Sequence, residues 1–233
     1  MHYSMGGLWV DYKHMTSAPG LFAAGEVDHQ YHGANRLGAN SLLSCLYSGQ
    51  VAGPAMVAYA RGAAPAEENV LGEKEAARQR TEYESIGKLD GSENAFDLAR
   101  EMGEVMTANV TVIRCNKKLA ETDTALMQLK ERWGRIGLSD RGRWANAEIT
   151  FVKQLWNMLE LARVLTLGAL RRDESRGAHY KPDFPQRDDA AWLKTTKARW
   201  TSDGPELSYD PVDTSLIPPR PRKYDVAPEA KRA

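Results

Sequence analysis

The chain has 233 residues and a mass of 25.9 kDa, enough for one large domain or two small ones with a buried core. Its 31 basic and 31 acidic side chains cancel, which excludes the basic surplus that general nucleic-acid binding requires. The two cysteines, Cys45 and Cys115, are too few for a disulfide framework or a cysteine-rich metal site, so we predict no metal and a reducing compartment. We find neither an apolar run of the roughly 20 residues that a membrane-spanning helix needs nor a secretion signal.

The first 62 residues are rich in glycine and apolar side chains and carry few charges. Short apolar runs at 8–10 and 21–24 predict strands, and the residues at 16–20 between them predict a turn. A helix of small and apolar residues is predicted from Asn40 to about Ala60, with Asn40 or Ser41 as its cap. A linker is expected at 62–65.

Helical spacing of apolar and charged residues dominates the middle of the chain. It predicts helices at about 71–85, from a Ser92 cap to about 114, around 119–133, and at about 147–172. The apolar positions that share a helix face are Leu98, Met102, Val105, Val112, Leu119, Thr122, Leu126, Leu129, Trp133, Val152, Leu155, Trp156, Leu159 and Ala162. Successive amphipathic helices with short connections predict an antiparallel bundle, and these stripes are interpreted as core packing.

Three short segments near the start combine residue types that bind small anions and sugars. Glu26 follows two small residues at the end of a predicted strand, where a carboxylate can accept hydrogen bonds from vicinal hydroxyls. A glycine-rich turn then leads into a helix N-terminus, which presents free backbone N–H groups. Arg36 and His2 are candidate ligands for a carboxylate, because the guanidinium fork matches its two oxygens. Singly, each residue fits an ordinary turn or ion pair; their joint spacing favours a functional site.

The segments at 2–7, 20–26 and 32–43 resemble the flavoprotein subunit of succinate dehydrogenase and fumarate reductase. A second block resembles the same family: Arg-Asp-Glu-Ser-Arg-Gly-Ala-His at 172–179, Asp-Phe-Pro at 183–185, Arg-Asp-Asp at 187–189 and Trp-Leu at 192–193. The two blocks stand in the family's order on either side of a helical bundle, so the resemblance covers essentially the whole chain. The amino-acid sequence of the first block, the segments at 2–7, 20–26 and 32–43 with the residues beside them, is most similar to the bacterial type found with a dihaem membrane anchor.

The resemblance implies roles for individual residues. His2 and Arg36 match the family's substrate-binding histidine and arginine. Glu26 matches the acid that binds the ribose of FAD. Asn40, Ser41 and Leu42 match the segment at the flavin, where the backbone is the implied ligand. In such an enzyme succinate loses a hydride to the flavin and a proton to a protein base. Electrons pass to an iron–sulfur subunit and then to quinone, with a cytochrome b-type anchor holding the assembly at the inner, cytoplasmic face of the bacterial membrane.

The family's remaining motifs have no match in this sequence. There is no Gly-x-Gly-x-x-Gly turn for a dinucleotide pyrophosphate. The histidine that bonds covalently to FAD and the proton-transferring arginine also lack counterparts, so no catalytic residue is predicted. The resemblance implies that this chain is the C-terminal part of the subunit. We therefore expect that the chain alone neither holds FAD stably nor oxidises succinate. The expected fold class is α+β: the edge of a split FAD-binding α/β domain at 1–62, an antiparallel helical bundle at 63–185, and an irregular tail at 186–233.

For the tail we expect Gly177 to end the preceding helix and His179 to hydrogen-bond to its last carbonyls. Short strands are expected around Gly204, followed by an extended run through 218–221. Three other hypotheses stay open. One is L-aspartate oxidase, which has a similar His-Gly-Ala-Asn-Arg block; another is a non-catalytic remnant that docks to other subunits; the third is a soluble helical domain with a chance glycine motif.

Overall fold

The computed structural model describes residues 3–64, 70–142 and 144–220, and His2 lies outside these ranges. The helices are α1 (Asn40–Gly62), α2 (Val70–Ile86), α3 (Ala95–Asn109), α4 (Asn116–Trp133), α5 (Ala147–Arg171) and the short α6 (Asp189–Trp192). A 3-10 turn at Gly25–Val27 precedes them, and strands β1 (Lys194–Arg199) and β2 (Glu206–Pro211) follow. The predicted α+β fold class is confirmed.

Helices α2 to α5 form a bundle around one apolar core. Helix α5 packs against α2, α3 and α4, and α3 also packs against α4. The core side chains repeat at intervals of three and four residues, which places them on one face of each helix. Those with no exposed surface include Leu98, Leu126, Val152, Leu155 and Leu159. The bundle predicted from periodicity is therefore present.

The start and end of α3 differ from the prediction. The helix is capped by Asn94, whose side chain accepts hydrogen bonds from the amides of Phe96 and Asp97, and not by Ser92. Glu93 is held extended by exchanging backbone hydrogen bonds with Arg135 and Gly137, so a helix cannot include it. The helix ends at Asn109, and Val112 lies beyond it on the surface rather than on the core stripe.

Residues 3–39 fold without a regular strand in the described part. The strands predicted at 8–10 and 21–24 are reduced to isolated bridges, Leu8 with Asp28, Val10 with Thr16 and Met15 with Phe22. A strand is stable only as part of a sheet, and each of these bridges offers a single residue pair. Helix α1 packs on the Gly25–Val27 turn, where the Gly25 amide donates to Ser48 Oγ at 2.8 Å.

The first helix begins after Ala39, which adopts a left-handed conformation with φ 65° and forms no side-chain cap. The prediction that Asn40 or Ser41 caps α1 is wrong, because both are already helical residues. One side of α1 is largely exposed in the part of the chain that the structure describes. We call this side the open face of α1, and its exposed apolar members are Leu42, Leu43, Leu46, Tyr47 and Val57.

The hairpin predicted around Gly204 is confirmed: β1 and β2 pair antiparallel, with Lys194 opposite Pro211 and Arg199 opposite Glu206. The linker predicted at 62–65 and the extended run at 218–221 both continue into residues outside the described ranges. None of the described helices combines the length and apolar composition needed to cross a lipid bilayer.

Candidate functional site

Arg36 lies in the loop between the Gly25–Val27 turn and α1. The loop turns where the Asn35 amide donates to His32 O at 3.2 Å. His32 Nε2 lies 3.0 Å from Ser44 Oγ, and that hydroxyl donates its only proton to Ser41 O at 2.8 Å. His32 must therefore donate from Nε2, which fixes its tautomer and ties the loop to the first turns of α1.

The Arg36 guanidinium is half-buried yet forms no ion pair within the described ranges. Its carbon lies 5.0 Å from the centroid of the Tyr3 ring, and Nη1 donates to Leu37 O at 3.2 Å. The Nε atom is buried without a hydrogen-bond partner among the described residues. A guanidinium that is partly desolvated and keeps unused donors is suited to binding an anion.

Glu26 lies on the surface, in the Gly25–Val27 turn. Its Oε1 accepts a hydrogen bond from the Ser4 amide at 2.7 Å. Segment 3–7 thus touches two predicted site residues, Glu26 through Ser4 and Arg36 through Tyr3. His2 immediately precedes this segment in the sequence but lies outside the described residues.

The predicted flavin-facing residues Asn40, Ser41 and Leu42 form the first turn of α1, directly after the Arg36 loop. Amides in a first turn have no acceptor within the helix; the Asn40 amide donates to Leu37 O at 3.3 Å, which leaves those of Ser41 and Leu42 available to a ligand. Asn40 also lines a cleft of about 370 Å³ together with Tyr31, His32, Leu43, Ser44 and Tyr47. Tyr31 and Tyr47 were not predicted as site residues. The feature of the sequence that could have indicated them is an aromatic residue on each side of the glycine-rich motif.

The buried side chain of His14 holds Tyr31, which lines this cleft, in place. Tyr31 Oη lies 2.6 Å from His14 Nε2, and His14 Nδ1 lies 3.0 Å from Ala23 O. The carbonyl can only accept, so Nδ1 carries a proton and donates to it, and the Asp28 carboxylate lies 3.5 Å from the same nitrogen. Burial, with the nearby charge of Asp28, raises the pKa of Tyr31 to about 12, so its hydroxyl stays protonated at neutral pH.

The second motif block forms a junction at the end of α5. His179 Nε2 donates to Arg172 O at 3.0 Å, so the predicted hydrogen bond to the end of the helix is confirmed. The prediction that Gly177 ends the helix is wrong, since α5 stops at Arg171 and Gly177 lies in a later turn with φ 59°. There the Ala178 amide donates to Ala34 O at 2.9 Å, which joins the junction to the Arg36 loop.

The junction is built on buried charges. Glu174 has no exposed surface and accepts hydrogen bonds from Arg172 at 2.7 Å, from Arg176 at 2.8 and 2.9 Å, and from the Asp188 amide at 3.0 Å. Burial acts to raise the pKa of Glu174, but these donors outweigh it, and the pKa lies below its ordinary value. The carboxylate is therefore ionised and fixes both arginines.

Comparisons with known proteins identify the family of this chain. A family model described as an FAD binding domain matches residues 1–42. Another, described as fumarate reductase flavoprotein C-term, matches residues 99–224, more than half of the chain. The chain belongs to this fumarate reductase flavoprotein family. The resemblance found from the sequence is thereby confirmed, and FAD is confirmed as the cofactor of the matched domain.

Individual members of the family are similar over almost all of this chain. The succinate dehydrogenase flavoprotein subunit of Bacillus subtilis is 52% identical over 99% of the chain and 40% of its own length. The fumarate reductase flavoprotein subunit of Haemophilus influenzae is 34% identical over 100% of the chain and 39% of its own length. A structure of Escherichia coli quinol fumarate reductase superimposes with a TM-score of 0.89 at 33% identity, over 94% of this chain and 38% of that one. The chain thus spans about two fifths of these relatives.

Proposed function

We propose that this chain supplies the C-terminal, substrate-binding part of a flavoprotein that oxidises succinate or reduces fumarate, with succinate:quinone oxidoreduction as the activity. The observation that carries the proposal is Arg36, whose half-buried guanidinium keeps free donors beside the first turn of α1. The 52% identity to a succinate dehydrogenase subunit supports the choice of substrate.

In the proposed mechanism the chain's residues bind and orient a dicarboxylate. Arg36 holds one carboxylate through parallel N–H donors, and His2 binds a carboxylate from the adjoining segment. Fixing both ends of a small, flexible substrate removes much of its rotational freedom before reaction, which lowers the barrier. Tyr3 keeps the guanidinium in place from its ring face.

The described residues fit one edge of FAD. Glu26 offers an exposed carboxylate to ribose hydroxyls, Asn40 begins α1, and the first-turn amides of Ser41 and Leu42 lie at the positive end of the α1 dipole. Bound FAD supplies the ring that accepts or returns the hydride. Negative charge near these amides is stabilised by the dipole, which favours the reduced cofactor.

The proposed partners are an iron–sulfur subunit and, through it, a cytochrome b-type membrane anchor that holds the assembly at the inner face of the bacterial membrane. Structures similar to this chain come from quinol-fumarate reductase and from the Mycobacterium smegmatis Sdh1 complex, which supports an assembly with quinone chemistry.

The test places this chain in the corresponding region of the Bacillus subtilis subunit, expressed with that subunit's own partner proteins. We expect the chimera to oxidise succinate, and Arg36→Gln to lower kcat/KM at least about 30-fold, since removing one member of a buried charge pair costs about 2 kcal/mol or more. Arg199→Gln, an exposed arginine on the hairpin, is the matched control and should leave kcat/KM unchanged.

Two results would contradict the proposal, and a third would contradict the expectation that the chain is inactive alone. An Arg36→Gln chimera with full activity would remove the substrate role of Arg36. Oxidation of L-aspartate in place of succinate would favour the aspartate oxidase hypothesis. Succinate oxidation by the purified 233-residue chain with added FAD would refute the expectation that it is inactive alone.

A further inference from the structure

The loop that carries Arg36 rests on the turn at the end of α5, backbone against backbone. The Ala178 amide donates to Ala34 O at 2.9 Å. Gly177 lies directly beside the same peptide: a Cβ placed on it would lie 2.6 Å from the Ala34 carbonyl carbon and 2.8 Å from the Ala34 Cβ. Because the obstructing atoms belong mainly to backbone, no rotamer change can make room, and the loop itself would have to move.

The turn on which the loop rests is held firmly. Arg176 and His179 exchange two backbone hydrogen bonds, at 2.8 and 3.0 Å, which closes the turn around Gly177. The Arg176 guanidinium is in turn fixed by Glu174 and by Asp189, the latter at 2.7 Å. The turn therefore moves with the end of the helical bundle rather than with the loop.

Few polar contacts fix the position of Arg36. Within the described part of the chain, its guanidinium lies near the face of the Tyr3 ring and donates to the carbonyl of its own neighbour, Leu37. Its place is therefore set largely by its backbone, which lies two residues after the anchored Ala34.

We infer that Gly177 is a positioning residue for Arg36: it lets the end of the helical bundle approach the loop closely enough to hold the arginine in its substrate-binding place. The inference deepens the proposed function, because it rests on Arg36 as the dicarboxylate ligand. It assigns the second motif block a part in substrate binding that requires no contact with the substrate.

The first experiment concerns the contact and needs no activity. In the unaltered full chain, amide hydrogen exchange at Ala178 should be slowed at least about 100-fold relative to an unstructured peptide. In Gly177→Ala, exchange should accelerate at Ala178 and in the loop at 32–38, while α4 and α5 keep their protection. The matched control is Gly204→Ala, another glycine with positive φ (118°), which lies in the β1–β2 turn and should leave the loop unaffected. Unprotected exchange at Ala178 in the unaltered chain would overturn the inference even if the variant failed to fold.

The second experiment measures positioning in the Bacillus subtilis chimera. Gly177→Ala should raise the KM for succinate about tenfold, with the FAD content and the helical circular dichroism unchanged, whereas Gly204→Ala should change neither kinetic constant. An unchanged KM in a variant whose loop exchange has accelerated would refute the positioning role. Failure of the proposed function is distinguished by Arg36→Gln: if that variant has normal kinetics, Arg36 is not the ligand, whatever Gly177 does.

Discussion

Acidification should destabilise the chain through His179, which the fold holds in its neutral form. Its Nε2 donates to Arg172 O, and its Nδ1 accepts from Arg114 Nη1. A protonated ring would direct a second N–H at the Arg114 cation. Burial, opposed only in part by the Arg172 carbonyl, and the nearby charges of Arg114, Lys181 and Arg172 lower the pKa of His179 to about 4.

As the pH falls, the unfolded chain takes up the His179 proton before the folded chain does. In the unfolded chain the imidazole titrates near its ordinary pKa of 6.5, whereas in the folded chain it titrates near 4. The stabilisation is therefore fully present above pH 6.5 and is lost progressively as the pH falls toward 4. A difference of this size corresponds to at most about 3 kcal/mol. Since the ring is not wholly removed from solvent, we expect a loss of about 1 to 2 kcal/mol after screening.

The measurement is urea unfolding of the chain and of His179→Gln at pH 7.5, 6.5, 5.5 and 4.5. Glutamine keeps a donor for Arg172 O but cannot take up a proton. The unfolding free energy of the original chain, minus that of the variant, should decrease by about 1 to 2 kcal/mol across this range. A constant difference would show that His179 is not held neutral, and an increase at low pH would show that the protonated ring is stabilised, for example by Asp173.

Three further predictions concern the junction, the core and a helix cap, each measured as the free energy of unfolding in urea. Glu174→Gln should lose about 3 kcal/mol, because it replaces the buried carboxylate that pairs with Arg172 and Arg176 by a neutral group; a loss below about 1 kcal/mol would contradict the buried network. Leu155 is 0% exposed and Leu161 on the same helix is 63% exposed, so Leu155→Ala should lose about 2 to 5 kcal/mol and Leu161→Ala should stay within about 0.5 kcal/mol. Equal losses would contradict the orientation in which α5 turns Leu155 to the core. Asn94→Ala should lose about 1 kcal/mol and Ser92→Ala almost nothing, and the opposite order would restore Ser92 as the cap.

The helical bundle could be predicted from the sequence because its information is local and periodic. Leu98, Leu126, Leu155 and Leu159 recur at helical intervals, and all four are buried in the structure. Helix termini were less predictable, since two suitable caps lay two residues apart. Ser92 was the predicted cap and Asn94, also of a preferred cap type, was not considered; the backbone bonds of Glu93 to Arg135 and Gly137 place the start of the helix after Asn94. That pairing joins residues more than 40 positions apart, which no local pattern records.

The candidate site was predicted from its residues, but its connections were not. The motifs pointed to Glu26, Arg36 and the start of α1, and the structure shows that segment 3–7 touches both Glu26 and Arg36. The anchoring of the Arg36 loop by Gly177 was not foreseen. A glycine after a helix is most often a helix terminator, and only the fold reveals that Ala34 approaches it.

The open face of α1 links the folding of the first third of the chain to its surroundings. Each of its apolar side chains that becomes covered contributes about 1 to 2 kcal/mol of hydrophobic free energy. Whatever covers the face therefore stabilises α1 and the loop before it by mass action, to a degree that depends on its concentration and affinity. Uncovered, the same face favours association between copies of the chain. The conformational stability of residues 3–62 thus depends on what covers this face, whereas that of the bundle is encoded within its own core.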